Sequence, residues 1–263
     1  MDLKLGNKTA LITGSTAGIG LEIARTLGVE GASVIVTGRN QQKLDEAVAD
    51  IKQSGAAAVR GVLADAATEE GARILIEAVP SVDILVNNLG IYEIKPFSEI
   101  SDDDWRRFFE VNVLGGVRLA RHYFDGMLER NDGRIIFVSS ESGVMIPGDM
   151  VQYGMTKSAQ LAISRGLAQL TKGTKVTVNT VLPGPTRSGG IVEFLRGLAS
   201  NPDATEAEAE AEFFEKHRST SLLQRMIEPQ EVASLVAYVA SPLSAATNGA
   251  ALRVEGGLVP TIV

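Results

Sequence analysis

Two side chains in the stretch VQYGMTKSAQLAIS, residues 151–164, are of the right types to move a proton together. Tyr153 and Lys157 stand four positions apart, so on a helix they share one face. A phenol ionises near pH 10 and is a poor acid–base at neutral pH. An ammonium group one turn away stabilises the phenolate and brings that value down. Reaching about 7 takes roughly 4 kcal/mol of differential stabilisation, to be shared by Lys157 and an oxidised nicotinamide. Upstream, RIIFVSSES ends on Ser139 and Ser140, 13 positions or more before the tyrosine. A hydroxyl at Ser140 would donate to a substrate oxygen while Tyr153 transfers the proton. An exposed helical pair and a serine cap would give the same letters, so the reading depends on what surrounds them.

The chain also carries a glycine loop, TGSTAGIG, at residues 13–20. An apolar run precedes it and a helical pattern follows. In that setting glycines let the backbone approach a pyrophosphate, while the helix N-terminus offers N–H groups and a positive dipole end. The spacing of Gly14, Gly18 and Gly20 is Gly-x-x-x-Gly-x-Gly, longer than the commoner Gly-x-Gly-x-x-Gly. Ser15 and Thr16 bring hydroxyls for a ribose or phosphate, and Ile19 joins the cofactor-binding set. A tight strand-to-helix turn that binds nothing would show the same glycines. About 20 residues on, dinucleotide folds place the group that reads the adenosine ribose: an acid for NAD, an arginine for NADP. This chain has Thr37-Gly38-Arg39-Asn40, with no acid. Arg39 is the candidate 2′-phosphate clamp, and NADP(H) is expected over NAD(H). Ala17 supplies no second basic group inside the loop.

The elements that would position these residues follow from hydrophobic patterning. Short apolar runs begin at Thr9, Ser33, Ala58, Asp83, Arg134, Val176 and Ala251, and most end in Gly, Asn, Ser or Asp. Between them lie helical stripes such as Ile19, Ile23, Leu27 and Leu44, Val48, Ile51. Strand–helix alternation with apolar strands predicts an α/β fold of the Rossmann type: a doubly wound, mostly seven-stranded parallel sheet with helices on both faces. No repeat or linker interrupts it, so residues 1–263 read as a single domain. The stretch from about 186 to 228 is longer than a crossover needs and reads as an insertion.

These ordered motifs resemble the short-chain dehydrogenase/reductase family in its ordinary single-domain form, over essentially the whole chain. The glycine loop matches Thr13 to Gly20, and the family's Tyr-x-x-x-Lys matches Tyr153 and Lys157. The resemblance implies an adenine-contacting acid at Asp65, followed by Ala66. Its Asn-Asn-Ala-Gly segment appears as Asn87-Asn88-Leu89-Gly90, with Leu89 where the family usually has Ala. Its catalytic Asn and Ser fall on Asn112 and Ser140, and its Pro-Gly segment near the nicotinamide on Pro183-Gly184-Pro185-Thr186. It implies hydride transfer between the nicotinamide and a carbonyl carbon, with Tyr153 as acid/base and Ser140 and Tyr153 on the substrate oxygen. Lys157 would bind the nicotinamide ribose, and Asn112 would position a water leading from Lys157 to solvent. It also implies a homo-oligomer, a tetramer or dimer. Leu89 either shifts the pocket or points into the core. The alternative function is a catalytically silent dinucleotide sensor on the same fold, against which the complete set of Asn112, Ser140, Tyr153 and Lys157 argues.

Composition limits the remaining choices. With 263 residues, 44% hydrophobic and 22% charged, the chain has the make-up of a soluble globule with a sizeable core. A net charge of -7 disfavours nucleic acid and anionic membrane as partners, leaving a small-molecule carbonyl or alcohol. The absence of cysteine excludes disulfides and thiolate metal sites, and His122 and His217 lie far apart, so no metal is expected. MDLKLGNK carries charges where a signal peptide needs an apolar core, so the expectation is cytoplasmic. In the 186–228 region, Asn201 to His217 reads as an acidic helix anchored by Phe213 and Phe214, or as a lid. Ile191, Phe194, Leu195, Tyr92 and Val144 to Pro147 are candidate pocket-lining residues.

Overall fold

All seven β-branched runs become strands of one parallel sheet: β1 (Thr9–Ile12), β2 (Ser33–Gly38), β3 (Ala58–Leu63), β4 (Ile84–Asn87), β5 (Gly133–Val138), β6 (Val176–Pro183) and β7 (Ala251–Val254). Their order is β3-β2-β1-β4-β5-β6-β7, and every pairing is parallel. The chain reverses direction between β1 and β4, which opens a crevice at the strands' C-terminal ends, where α/β folds take ligands. The computed structural model describes residues 1–189, 191–201 and 203–262, excluding the side chains of residues 192–194.

Strand residues alternate between two cores, as the pleat requires. Ala10, Ile12, Val34, Val36, Ile84, Val86, Ile136 and Val138 face one, formed with α1 (Gly18–Val29), α2 (Gln41–Gln53) and α9 (Pro229–Ala240). Leu11, Ile35, Leu85, Ile135 and Phe137 face the other, beneath α3 (Glu69–Ala78), α5 (Gly115–Glu129) and α6 (Val151–Gln169). The stripes Ile23, Leu27 and Leu44, Ile51 are buried as their spacing predicts, with Ile19 and Val48 packed at the margin. Helix α4 (Asp102–Phe109) runs through a π-helical turn at Glu110–Leu114 into α5.

The 186–228 excursion builds a third apolar cluster. Helix α7 (Ile191–Leu198) and helix α8 (Glu206–Lys216) close over Ile191, Leu195, Phe213, Phe214 and Met226. The acidic helix expected from Asn201 to His217 is α8. Thr205 and Glu208 form a reciprocal capping box at its start, and its two aromatics are buried. Arg187 ties the excursion together, donating to Glu206 at 2.5 Å, Glu210 at 2.6 Å and Glu228 at 3.1 Å.

Helices α2, α3 and α4 open on side-chain caps: Asn40, Thr68 and Ser101 accept from the N–H groups of Lys43, Gly71 and Asp104. The residue after Thr68's cap, Gly71, sits against the turn that follows β3. A Cβ there would lie 1.9 Å from the Asp65 carbonyl oxygen. Gly71→Ala should therefore destabilise the fold by about 1–3 kcal/mol, since backbone must move to admit the methyl. At fixed protein concentration, urea unfolding should show a lower midpoint with an unchanged slope. An unchanged midpoint would mean that the turn yields freely.

Candidate active site

The site forms where β1, β4, β5 and β6 end. A cavity of about 230 Å³ opens there, with Ile19, Asn88, Met150, Phe213 and Arg218 in its lining. Gly90, Ser140, Tyr153, Lys157, Pro183, Gly184 and Thr186, each expected from sequence, lie on its wall. Residues as far apart in sequence as Ile19 and Arg218 are thus brought to one opening.

The glycine loop forms the first part. Gly14 and Gly18 adopt φ +61° and +56°, the left-handed region that glycine enters without strain. Gly20 packs so tightly beneath the loop that a Cβ would meet the Gly14 carbonyl oxygen at 2.4 Å. The Asn88 amide donates to the carbonyls of Thr13 and Gly14 at 3.0 and 3.1 Å, fixing the loop's path from β4. Helix α1, unlike α2 to α4, has no side-chain cap: Ala17 precedes it, so its first-turn N–H groups face the loop's mouth. Uncapped amides, a bare glycine surface and a positive dipole end fit the pyrophosphate of a dinucleotide.

Not every loop residue faces that mouth. The Ser15 hydroxyl donates to Ile12 O at 2.7 Å and accepts from Thr37 N at 2.9 Å, fully buried. It holds β1 to β2 and has no hydroxyl to spare for a ribose, contrary to the expectation from sequence. Thr16 stays half-buried, packed over Gly38. Ile19 and Gly20 close the loop onto α1.

At the adenosine end, Arg39 follows β2 with its side chain 84% exposed. Its closest acid among the described residues is Asp65, at 4.0 Å, too far for a hydrogen bond. Asp65 Oδ1 accepts from Ala67 N, and Ala66 is buried behind it. Both lie just beyond the end of β3, beside Arg39.

The residues with chemistry converge from β5 and α6. The Lys157 ammonium is buried and donates to Val138 O at 3.0 Å and Gln160 Oε1 at 3.3 Å. In return, Ser139 Oγ donates to the Lys157 carbonyl at 2.8 Å, so strand end and helix hold each other. A Cβ on Gly143 would meet the Lys157 carbonyl carbon at 2.9 Å, so glycine permits the close approach. Burial pushes the Lys157 ammonium down to about 8, with Glu141 opposing. Tyr153 presents its ring on the same face, 5.6 Å from the Lys157 nitrogen.

The sequence reading shares the acidification of the phenol between Lys157 and an oxidised nicotinamide. The protein's own groups, taken by themselves, act in the opposite sense. Desolvation first, and Glu141 second, hold the Tyr153 phenol above its ordinary range, while a hydrogen bond with Ser140 pulls it back. Burial sets the sign, and Glu141 adds to it. Although charged, it is buried directly after Ser140 and accepts from the hydroxyls of both Ser140 and Ser142. Arg218 Nε lies 3.9 Å from its Oε1 and packs over the Phe213 ring.

Asn112 sits in the π-helical turn with its side chain fully engaged. Its amide donates to Ile91 O and Thr156 Oγ1, both at 2.9 Å, and its Oδ1 accepts from Ile91 N at 2.8 Å. Its backbone oxygen accepts from Gln160 Nε2 at 2.6 Å, so a polar path runs from Lys157 through Gln160 to Asn112. Gln160 was not anticipated, although its i+3 spacing from Lys157 on α6 is visible in the sequence. Asn87 is buried, with Nδ2 on Gly116 O at 3.4 Å. Leu89 packs on the second core and does not line the cavity. Its bulk therefore spares the pocket.

Among the proposed lining residues, Tyr92 and Ile191 are on the cavity wall. Leu195 is buried in the third cluster instead, while Val144 and Ile146 are half-exposed and, with Met145 and Pro147, lie off the cavity wall. Phe194 lies outside the described side chains. Glu141, Phe213, Arg218 and Met150 complete the wall. Among the described residues no group of His, Cys, Asp or Glu is arranged to hold a metal, and no helix is long and apolar enough to cross a membrane.

Comparison with known proteins agrees with this layout. The sequence model of the short chain dehydrogenase family matches residues 8–195. The uncharacterized oxidoreductases YvaG and YvrD of Bacillus subtilis are 50% and 43% identical to the chain, each over the full length of both partners. The crystal structure of L-sorbose reductase from Gluconobacter frateurii, complexed with NADPH and L-sorbose, superposes over the whole of both chains with a TM-score of 0.92 at 30% identity. The protein belongs to the short-chain dehydrogenase/reductase family, as an oxidoreductase that uses a dinucleotide cofactor and acts on CH–OH or C=O groups.

Proposed function

We propose that the protein interconverts a carbonyl compound and a secondary alcohol with NADP(H) favoured over NAD(H), and with Tyr153 as the acid/base. One observation carries this reading: Tyr153, Ser140 and Lys157 share one cavity wall with Ile19 of the glycine loop and with Asn88, which holds that loop in place. When bound, the nicotinamide supplies the hydride donor or acceptor at that wall.

The chain's own residues do the rest. Uncapped α1 amides and the Gly14–Gly20 loop hold the pyrophosphate. Arg39, with Asp65 beside it, takes the adenosine end, and Gly90, Pro183, Gly184 and Thr186 border the ring. Ser140 holds the substrate oxygen. A phenol kept neutral by burial carries the proton that carbonyl reduction needs, and positive charge beside it makes that proton easier to give. In the oxidative direction the same oxygen must accept a proton, which requires compensating positive charge nearby. Lys157, donating from a fixed position through two hydrogen bonds, meets the ribose and tunes the phenol from one turn away. Asn112, fixed by Ile91 and linked to Lys157 through Gln160, would position a water leading from Lys157 to solvent. NADPH in the L-sorbose reductase crystal supports the cofactor preference, as does the exposed Arg39 guanidinium.

Tyr153→Phe should lower the rate of NADPH oxidation at 340 nm by about 10²- to 10⁴-fold while cofactor affinity changes little, because Tyr153 is one of many expected cofactor contacts but the sole proton donor in this reading. Activity that survives unchanged in this variant would remove Tyr153 from the mechanism. For the cofactor, Arg39→Ala should reduce kcat/KM with NADPH by roughly 10- to 100-fold, the scale of a lost charge-assisted hydrogen bond, and leave NADH nearly unaffected. Equal or better use of NADH by the unaltered protein would overturn the preference.

A further inference from the structure

The cavity wall holds one charged pair to which neither cofactor nor proton transfer assigns a task. Glu141 is 5% exposed and stands directly beside Ser140. A carboxylate has about four acceptor positions, and Glu141 uses two of them on the Ser140 and Ser142 hydroxyls. Arg218 reaches it from the loop after α8, its guanidinium seated over Phe213 at 5.4 Å and its Nη1 donating to the His217 carbonyl at 2.8 Å. Between Arg218 Nε and Glu141 Oε1 the distance is 3.9 Å. That is too long for a direct hydrogen bond. It is short enough for a single oxygen atom to touch both.

We propose that Glu141 and Arg218 form a hydroxyl-binding subsite, which selects carbonyl substrates bearing a hydroxyl on the carbon next to the carbonyl, and vicinal diols in the reverse direction. This rests on the carbonyl–alcohol reading given above. The chemistry of the pair makes the choice. A hydroxyl group donates to the carboxylate and accepts from the guanidinium at once. An unsubstituted ketone leaves buried acceptors without donors, which is costly. A carboxylate substrate meets Glu141 with like charge, and Arg218 is already neutralised by it. Position fixes which hydroxyl is read. To hold a carbonyl oxygen, Ser140 turns its single hydroxyl proton from Glu141 to the substrate, and a hydroxyl on the adjacent carbon then restores a donor to the same carboxylate.

The test uses the intact protein with NADPH and three matched ketones: 1-hydroxybutan-2-one, butan-2-one and 1-methoxybutan-2-one. The methyl ether keeps the inductive pull of the oxygen but cannot donate to Glu141. The hydroxyketone should exceed both others in kcat/KM by about 10- to 100-fold, as expected for a hydrogen bond to a charged group. In Glu141→Gln and Arg218→Met that ratio should fall at least several-fold. A general loss through Ser140 acts on all three ketones and cancels in the ratio. Should one variant fail to fold, the comparison in the unaltered protein and the second variant still decide. A ratio near one in the unaltered protein, or one unchanged in the folded variants, overturns the subsite while leaving carbonyl reduction intact. Failure to reduce any carbonyl compound overturns the underlying reading and the subsite with it.

Discussion

The contact between the end of β5 and helix α6 governs the site. An ammonium group loses its hydration when buried, and that loss must be offset by acceptors fixed in place. Lys157 finds them in the Val138 carbonyl and the Gln160 amide, while its own carbonyl receives Ser139. This reciprocal bonding sets the rotation of α6, and Gly143 allows the backbones to come close enough for it. Once α6 is set, Tyr153 has one direction to face. Ser140, two residues past the end of β5, lies on the same cavity wall.

A second consequence concerns electrostatics. The wall contains an acid, a phenol and an ammonium in a poorly hydrated space, and each reports the same environment in its own way. Lys157 is lowered and Tyr153 raised because burial disfavours the charged form of both. Glu141 opposes the first shift and adds to the second. Burial thus favours the neutral form of both groups, yet Lys157, at about 8, still carries its charge at neutral pH.

Much of this was legible from the residues. Seven strands, their parallel pairing and the buried stripes of α1 and α2 follow from regular periodicity, because sheet and helix impose repeats of two and 3.6 on the letters. Tyr153, Lys157 and Ser140 could be found because a helical turn and a strand end give them fixed spacing. Glu141 escaped attention for the opposite reason. A glutamate after a strand usually faces water, and its burial depends on Arg218, 77 positions away, and on the apolar cluster that carries Arg218. Ser15 was misjudged because its partners, Ile12 and Thr37, belong to two strands whose register no local pattern reveals. The Gln160 link was in view, but only the π-helical turn at Asn112 gives it something to reach.

Two parts of the cavity lining rest on different foundations. One is cut from the ends of the sheet, where a moved side chain disturbs strands shared with the whole core. The other is hung on α7 and α8, which have their own small apolar nucleus and are cinched by the carboxylates around Arg187. Such a division lets inherited change redesign what the protein recognises while the redox apparatus stays untouched, and it makes that appendage the natural place for new chemical tastes to evolve.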